Sequence, residues 1–104
     1  MRLATLTLAA VTVMTAGSAL AAGSVTDVDY LKASRCRGIA GVTAPDTTAL
    51  DAWLKAASKT RDSSVLAKGA NTQDAARREA KTTNPERKAR LAAELSGPCQ
   101  AFKG

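Results

Sequence analysis

The stretch Leu50-Asp51-Ala52-Trp53-Leu54-Lys55-Ala56-Ala57 decides the fold class of this chain. Leu50, Trp53, Leu54 and Ala57 recur at i, i+3, i+4 and i+7, the spacing that gathers apolar side chains on one face of a helix. A strand needs strict alternation, and no stretch of the sequence sustains it. Asp51 and Lys55 stand four apart on the outer side, in the order that favours an ion pair. Just upstream, Asp46 or Thr48 supplies the cap, the latter with Asp51 three residues on as a capping box.

Working outward, the same rules predict further helices. Ser24 or Thr26 caps a first one, with Asp27 and Asp29 in its first turn, where the helix dipole favours anions. Val28, Leu31 and Ile39 lie at helical spacing, Arg35 and Arg37 complement the C-terminal end, and Gly38 reads as the stop. Cys36 then falls in the last turn, and Ile39 to Pro45 reads as a loop. After Lys59 the pattern weakens. Asp62 or Ser63 starts either a short segment that Gly69 interrupts, restarting at Asn71, or one longer helix over Ser63–Thr82, with packing left to alanine. At Asn84-Pro85-Glu86 the signals agree: a cap, a proline in the first helical position and an acid in the first turn. Lys88, Leu91, Ala92 and Leu95 line one face of this last helix, Arg87, Arg90 and Glu94 the other, and Gly97-Pro98 ends it. The expected architecture is all-α, a small array of three or four short helices.

The chain's start reads differently. Met1 and Arg2 precede the uncharged apolar run Leu3 to Ala16, and Ala19 and Ala21 stand two apart behind it. That is the charged start, apolar middle and small-residue end of a signal peptide over residues 1–21, with cleavage between Ala21 and Ala22. The run is too short for a membrane span of about 20 residues. The expected product is a single helical domain, residues 22–104, periplasmic or secreted, with no transmembrane segment. It carries 14 basic and 9 acidic side chains.

Only fourteen large apolar residues serve those 83 positions, alongside 17 alanines. A core of that size supplies no more than about 3–5 kcal/mol, and natural domains so small usually carry a staple. Cys36 and Cys99 are the only cysteines, and in an oxidising compartment two cysteines read as one disulfide. Closing a loop of 62 residues stabilises by about 4 kcal/mol on the chain-entropy estimate. No C-x-x-C spacing suggests redox chemistry. Trp53 is assigned to the core, with Tyr30 and Phe102 near the half-cystines.

Catalytic patterns are missing. There is no histidine to act as base or ligand, and neither G-x-x-x-x-G-K-[ST] nor G-x-G-x-x-G occurs. With the cysteines paired, a zinc set cannot be assembled, and Asp27, Asp29 and Asp46 read as helix-start acids. The chain is therefore expected to be no enzyme and to take no cofactor or metal.

One electrostatic feature remains. Between residues 77 and 90, Arg77, Arg78, Lys81, Arg87, Lys88 and Arg90 face only Glu79 and Glu86. These six are the candidate partner-binding residues, a docking surface for an acidic protein or an anionic envelope component. The competing reading is a solvated surface laced with the pairs Asp74–Arg78, Glu86–Arg90 and Arg90–Glu94. Nucleic acid is disfavoured, because export removes the usual targets and no aromatic platform accompanies the charges.

In outline the chain resembles small exported bacterial helical proteins with one disulfide, among them acid-stress periplasmic chaperones. The likeness is architectural and carries no motif around Cys36 or Cys99, so it implies no residue roles. Two functions are expected: an interaction module that binds an anionic partner through a basic helical face, or an envelope-stress chaperone whose marginal core opens in acid. With no histidine, the opening would lie near the carboxylate range of about 4.

Overall fold

The computed structural model describes residues 25–44 and 46–103. The signal segment, its cleavage point, Ser24 and Pro45 lie outside the described residues. Within them the chain forms four α-helices and a closing 3₁₀ helix, with no strand. They are α1 (Asp27–Thr43), α2 (Thr48–Ser58), α3 (Ser63–Ala80), α4 (Pro85–Ser96) and the 3₁₀ helix Pro98–Phe102.

Helix α1 is the hub, packing against every other element. It begins at a full capping box. The Thr26 hydroxyl accepts from the Asp29 N–H, and the Asp29 carboxylate accepts from the Thr26 N–H, each at 3.1 Å. It does not stop at Gly38 but continues to Thr43, so Arg35, Cys36 and Arg37 are mid-helix and Ile39 is a fully buried helical residue.

Packing explains the extension. A Cβ at Gly38 would collide with the Gln73 carbonyl oxygen and stand 2.8 Å from the Ala76 Cβ. Gly38 is the point where the backbones of α1 and α3 meet. Gly69 does the reciprocal service, since a Cβ there would lie 2.6 Å from the Tyr30 ring and 3.0 Å from the Ser34 hydroxyl. A glycine inside a helix costs about 1 kcal/mol against alanine, which close backbone approach offsets. α3 accordingly runs unbroken from Ser63 to Ala80, with Gly69, Ala76 and Ala80 as its buried residues.

These contacts also set direction. Tyr30 and Ser34 meet Gly69, while Gly38 meets Gln73 to Arg77, so α1 and α3 run parallel. Helix α2 runs back between them in sequence. Arg37 pairs with Asp51, early in α2, and Arg61, just beyond α2, reaches Asp27 at the start of α1. α4 is antiparallel to α1: Leu91 clusters with Ile39, Glu94 pairs with Arg35, and Cys99 bonds Cys36.

The core has two parts. One gathers Ala33, Cys36, Ala40, Leu50, Cys99 and Phe102, with Trp53 half-buried against them. Trp53 meets Phe102 edge to face at 4.9 Å between centroids, a favourable aromatic geometry. The other gathers Ile39, Ala76, Ala80 and Leu91. Tyr30 belongs to neither and packs on Gly69. Val28, expected on the inner face of α1, is 58% exposed in the first turn, while the buried stripe of α1 begins at Ala33. The disulfide Cys36–Cys99 spans 5.8 Å between Cα atoms and ties the middle of α1, rather than its end, to the turn that follows α4.

The remaining caps follow the sequence in part. The Asn84 side chain accepts from the Glu86 and Arg87 N–H groups at 2.9 and 3.1 Å. At α2 the cap position is Thr47. Asp46 accepts from the Thr48 N–H and hydroxyl at 2.9 and 2.7 Å, which holds its carboxyl below the usual range. Asp51 pairs across helices with Arg37 instead of along α2 with Lys55.

Candidate functional site

The electrostatic centre of the molecule is Arg35. From the middle of α1 its guanidinium grips Glu94 of α4 with two bonds, Nε at 2.7 Å and one terminal nitrogen at 3.0 Å. The other terminal nitrogen donates to Glu79 of α3 at 3.0 Å. One cation thus joins three helices, in the fork geometry that suits arginine and carboxylate. Donating hydrogen bonds to Glu94 and Glu79 holds Arg35 still more firmly protonated than usual, and the bond from Arg35 pulls the Glu79 carboxyl below its ordinary range.

This arrangement changes the surroundings of the six basic residues read from the sequence. None of the pairs Asp74–Arg78, Glu86–Arg90 and Arg90–Glu94 forms. Asp74 pairs with Arg77, three residues on, and Glu94 is held by Arg35. Among the described residues, Arg78, Lys81, Arg87, Lys88 and Arg90 have no ion-pair partner. All six are exposed.

The six do not form one flat face. Arg87 and Arg90 stand on the flank of α4 nearest Glu79, whose charge they help stabilise, and Arg90 lines the shallow depression around Arg35. Arg78 lies opposite the buried Ala76 and Ala80 stripe by helical rotation, and Lys81 caps the C-terminal end of α3. Lys88 lies on the other side of α4, over a separate groove. Arg77, engaged with Asp74, is the least available. The basic surface therefore wraps around the corner joining α3 to α4.

The groove beside Lys88 was not foreseen. Its volume is about 400 Å³, and it runs between the last turn of α1, the end of α3, α4 and the 3₁₀ helix. It exists because α1 continues past Gly38, which brings Ala40, Thr43 and Ala44 alongside Leu91, Ala92 and Leu95.

The side chains of Cys36, Glu94 and Cys99 lie close enough that their ligand atoms fall within 4.8 Å of one another. That cluster is not an available metal set, since the sulfurs are bonded together and both Glu94 oxygens accept from Arg35. No helix among the described residues is long and apolar enough to cross a membrane. Compared with protein families, curated proteins and solved structures, the chain matches none of them.

Proposed function

We propose that this protein is a non-enzymatic interaction module, exported to the periplasm or beyond, that binds an anionic partner through the basic corner between α3 and α4. One observation carries the reading. Of the carboxylates near this corner, Glu79 and Glu94 are held by Arg35 and Asp74 by Arg77, which leaves Glu86 as the one acid outside any ion pair beside Arg78, Lys81, Arg87, Lys88 and Arg90, all exposed and without ion-pair partners among the described residues. Exposed cations concentrated at one corner attract anions and speed their encounter, and that attraction weakens with salt. The partner is an acidic protein or an anionic envelope component.

Chemical cross-linking in intact cells, with identification of what is captured, tests this reading. The expected result is one dominant partner, lost in the variant carrying Arg78→Glu, Arg87→Glu and Arg90→Glu and weakened in high salt. Capture unchanged by both would overturn it.

A second reading is an acid-triggered envelope chaperone, favoured by the placement of two carboxylates at the junction of three helices. Protonating Glu79 and Glu94 would leave Arg35, Arg87 and Arg90 facing one another across that junction, and self-repulsion would open the core. Protection of unfolded clients at low pH alone would support it.

A further inference from the structure

The groove beside Lys88 has a chemistry of its own. Its floor is apolar, made by Ala40, Ala44, Ala80, Leu91 and Leu95. Its rim carries Thr43, Ser96 and Gln100: the Thr43 and Ser96 hydroxyls already donate to the Ile39 and Ala92 carbonyls, each at 3.1 Å, and Gln100 spends one of its two amide N–H donors on the Leu95 carbonyl at 2.6 Å. The charged donors at the rim are the exposed ammonium groups of Lys88, on α4, and Lys103, behind the 3₁₀ helix. Among the described residues no acid lines the groove; Asp46 is kept ionised in part by Lys103 but forms no ion pair with it. A volume of about 400 Å³ falls within the range of small-molecule sites, roughly 300–1,000 Å³.

An apolar trough whose only charged lining residues, among those described, are two lysines favours a ligand with an apolar body and an anionic end. The geometry points to a binding site for a free, single-chain anionic amphiphile, its alkyl chain on Leu91 and Leu95 and its carboxylate between Lys88 and Lys103. The site goes beyond the basic corner proposed above. It shares only Lys88 with it, and it lies on the opposite side of α4 from Arg90.

The probe is decanoate, titrated below its micelle concentration into the oxidised protein and followed by calorimetry and backbone amide NMR. Shifts should concentrate at residues 40–44, 91–96 and 100–103. Affinity should rise about two- to fourfold per methylene from octanoate to dodecanoate, as covered methylenes require. Lys88→Glu with Lys103→Glu should weaken decanoate at least tenfold, and Ala92→Trp, at an exposed position on the groove wall, should block it with helicity intact.

The variant with Arg78→Glu, Arg87→Glu and Arg90→Glu should bind decanoate as the parent does. Its effect on partner capture is a separate result, so failure of one proposal is visible without the other. Equal binding of decyltrimethylammonium, shifts centred elsewhere, or no saturation by millimolar decanoate would each overturn the assignment. So would preference for anionic phospholipid vesicles over free decanoate, or loss of the groove into a contact between two copies of the chain.

Discussion

The basic residues of α1 and those of the α3–α4 corner are the same chemical groups in opposite circumstances. Arg35 and Arg37 of α1, with Arg61 beyond α2, each hold a carboxylate on another element. Around the corner Arg78, Lys81, Arg87, Lys88 and Arg90 hold none among the described residues. The first set joins helices across 14 to 59 residues of sequence, and the second is left for solvent or a partner. Charges paired across helices can therefore be told from charges in no ion pair, although Arg87 and Arg90 also help to keep Glu79 ionised.

The largest effect should come from the link that fixes α4, and so its share of both sets, to α1. Replacing Cys36 and Cys99 by alanine, or reducing them, should cost about 4 kcal/mol, read as a shift in the urea midpoint. Next comes the contact that sets the distance from Arg35 to Glu79. Gly38→Ala should destabilise by about 1–3 kcal/mol despite alanine's better helix propensity, because the added methyl has no space against Gln73 and Ala76. Gly41→Ala is the control. Its Cβ would meet only the flexible Arg37 side chain at an exposed position, so this change should stabilise by up to about 1 kcal/mol. Equal effects at the two glycines would dissolve the account of how α1 and α3 meet.

Smaller still is the ion network itself. Arg35 and Glu79 keep 34% and 37% of their side chains exposed, so solvent screens them and Arg35→Met should cost about 1 kcal/mol at neutral pH. The sign with pH follows from Glu79, whose carboxyl is held below its ordinary range. Its contribution is complete above the unfolded carboxylate pKa and fades as pH falls through the lowered folded value. The stability gap between parent and Arg35→Met should thus be constant at neutral pH and narrow as pH falls below the ordinary glutamate range of about 4.5. A gap independent of pH would mean that Arg35 acts by packing alone. A change no larger than that of Arg35→Met belongs to the corner: Arg78→Glu, Arg87→Glu and Arg90→Glu together should cost less than about 1 kcal/mol, most of it from losing Arg87 and Arg90 beside Glu79.

Much of this fold is legible along the sequence, because caps and amphipathic spacing are local. Thr26 with Asp29, Asn84 with Pro85, and the Leu50, Trp53, Leu54 and Ala57 stripe all act as they read. The disulfide follows from there being two cysteines. Gly38 and Gly69 were harder. A local rule reads a glycine as a stop, while these two serve contacts between helices distant in sequence. Arg35 was missed for a related reason. Its partners lie 44 and 59 residues away, and the four-residue rule assigned Glu94 to its neighbour Arg90 instead. The six basic residues were readable as a cluster, and helical spacing already put Lys88 on one face of α4 and Arg87 and Arg90 on the other. The groove depends on the last turn of α1, which the Gly38 reading had turned into a loop.

The most direct test compares partner capture by two variants in the same cells, Arg35→Met and the triple Arg78→Glu, Arg87→Glu and Arg90→Glu. The account predicts that the triple variant captures none and that the Arg35→Met protein, folded but with Glu79 and Glu94 released beside Arg87 and Arg90, captures the same dominant partner less strongly than the parent. A triple variant that still captures it, or a folded Arg35→Met protein that captures it as strongly as the parent, would contradict the account.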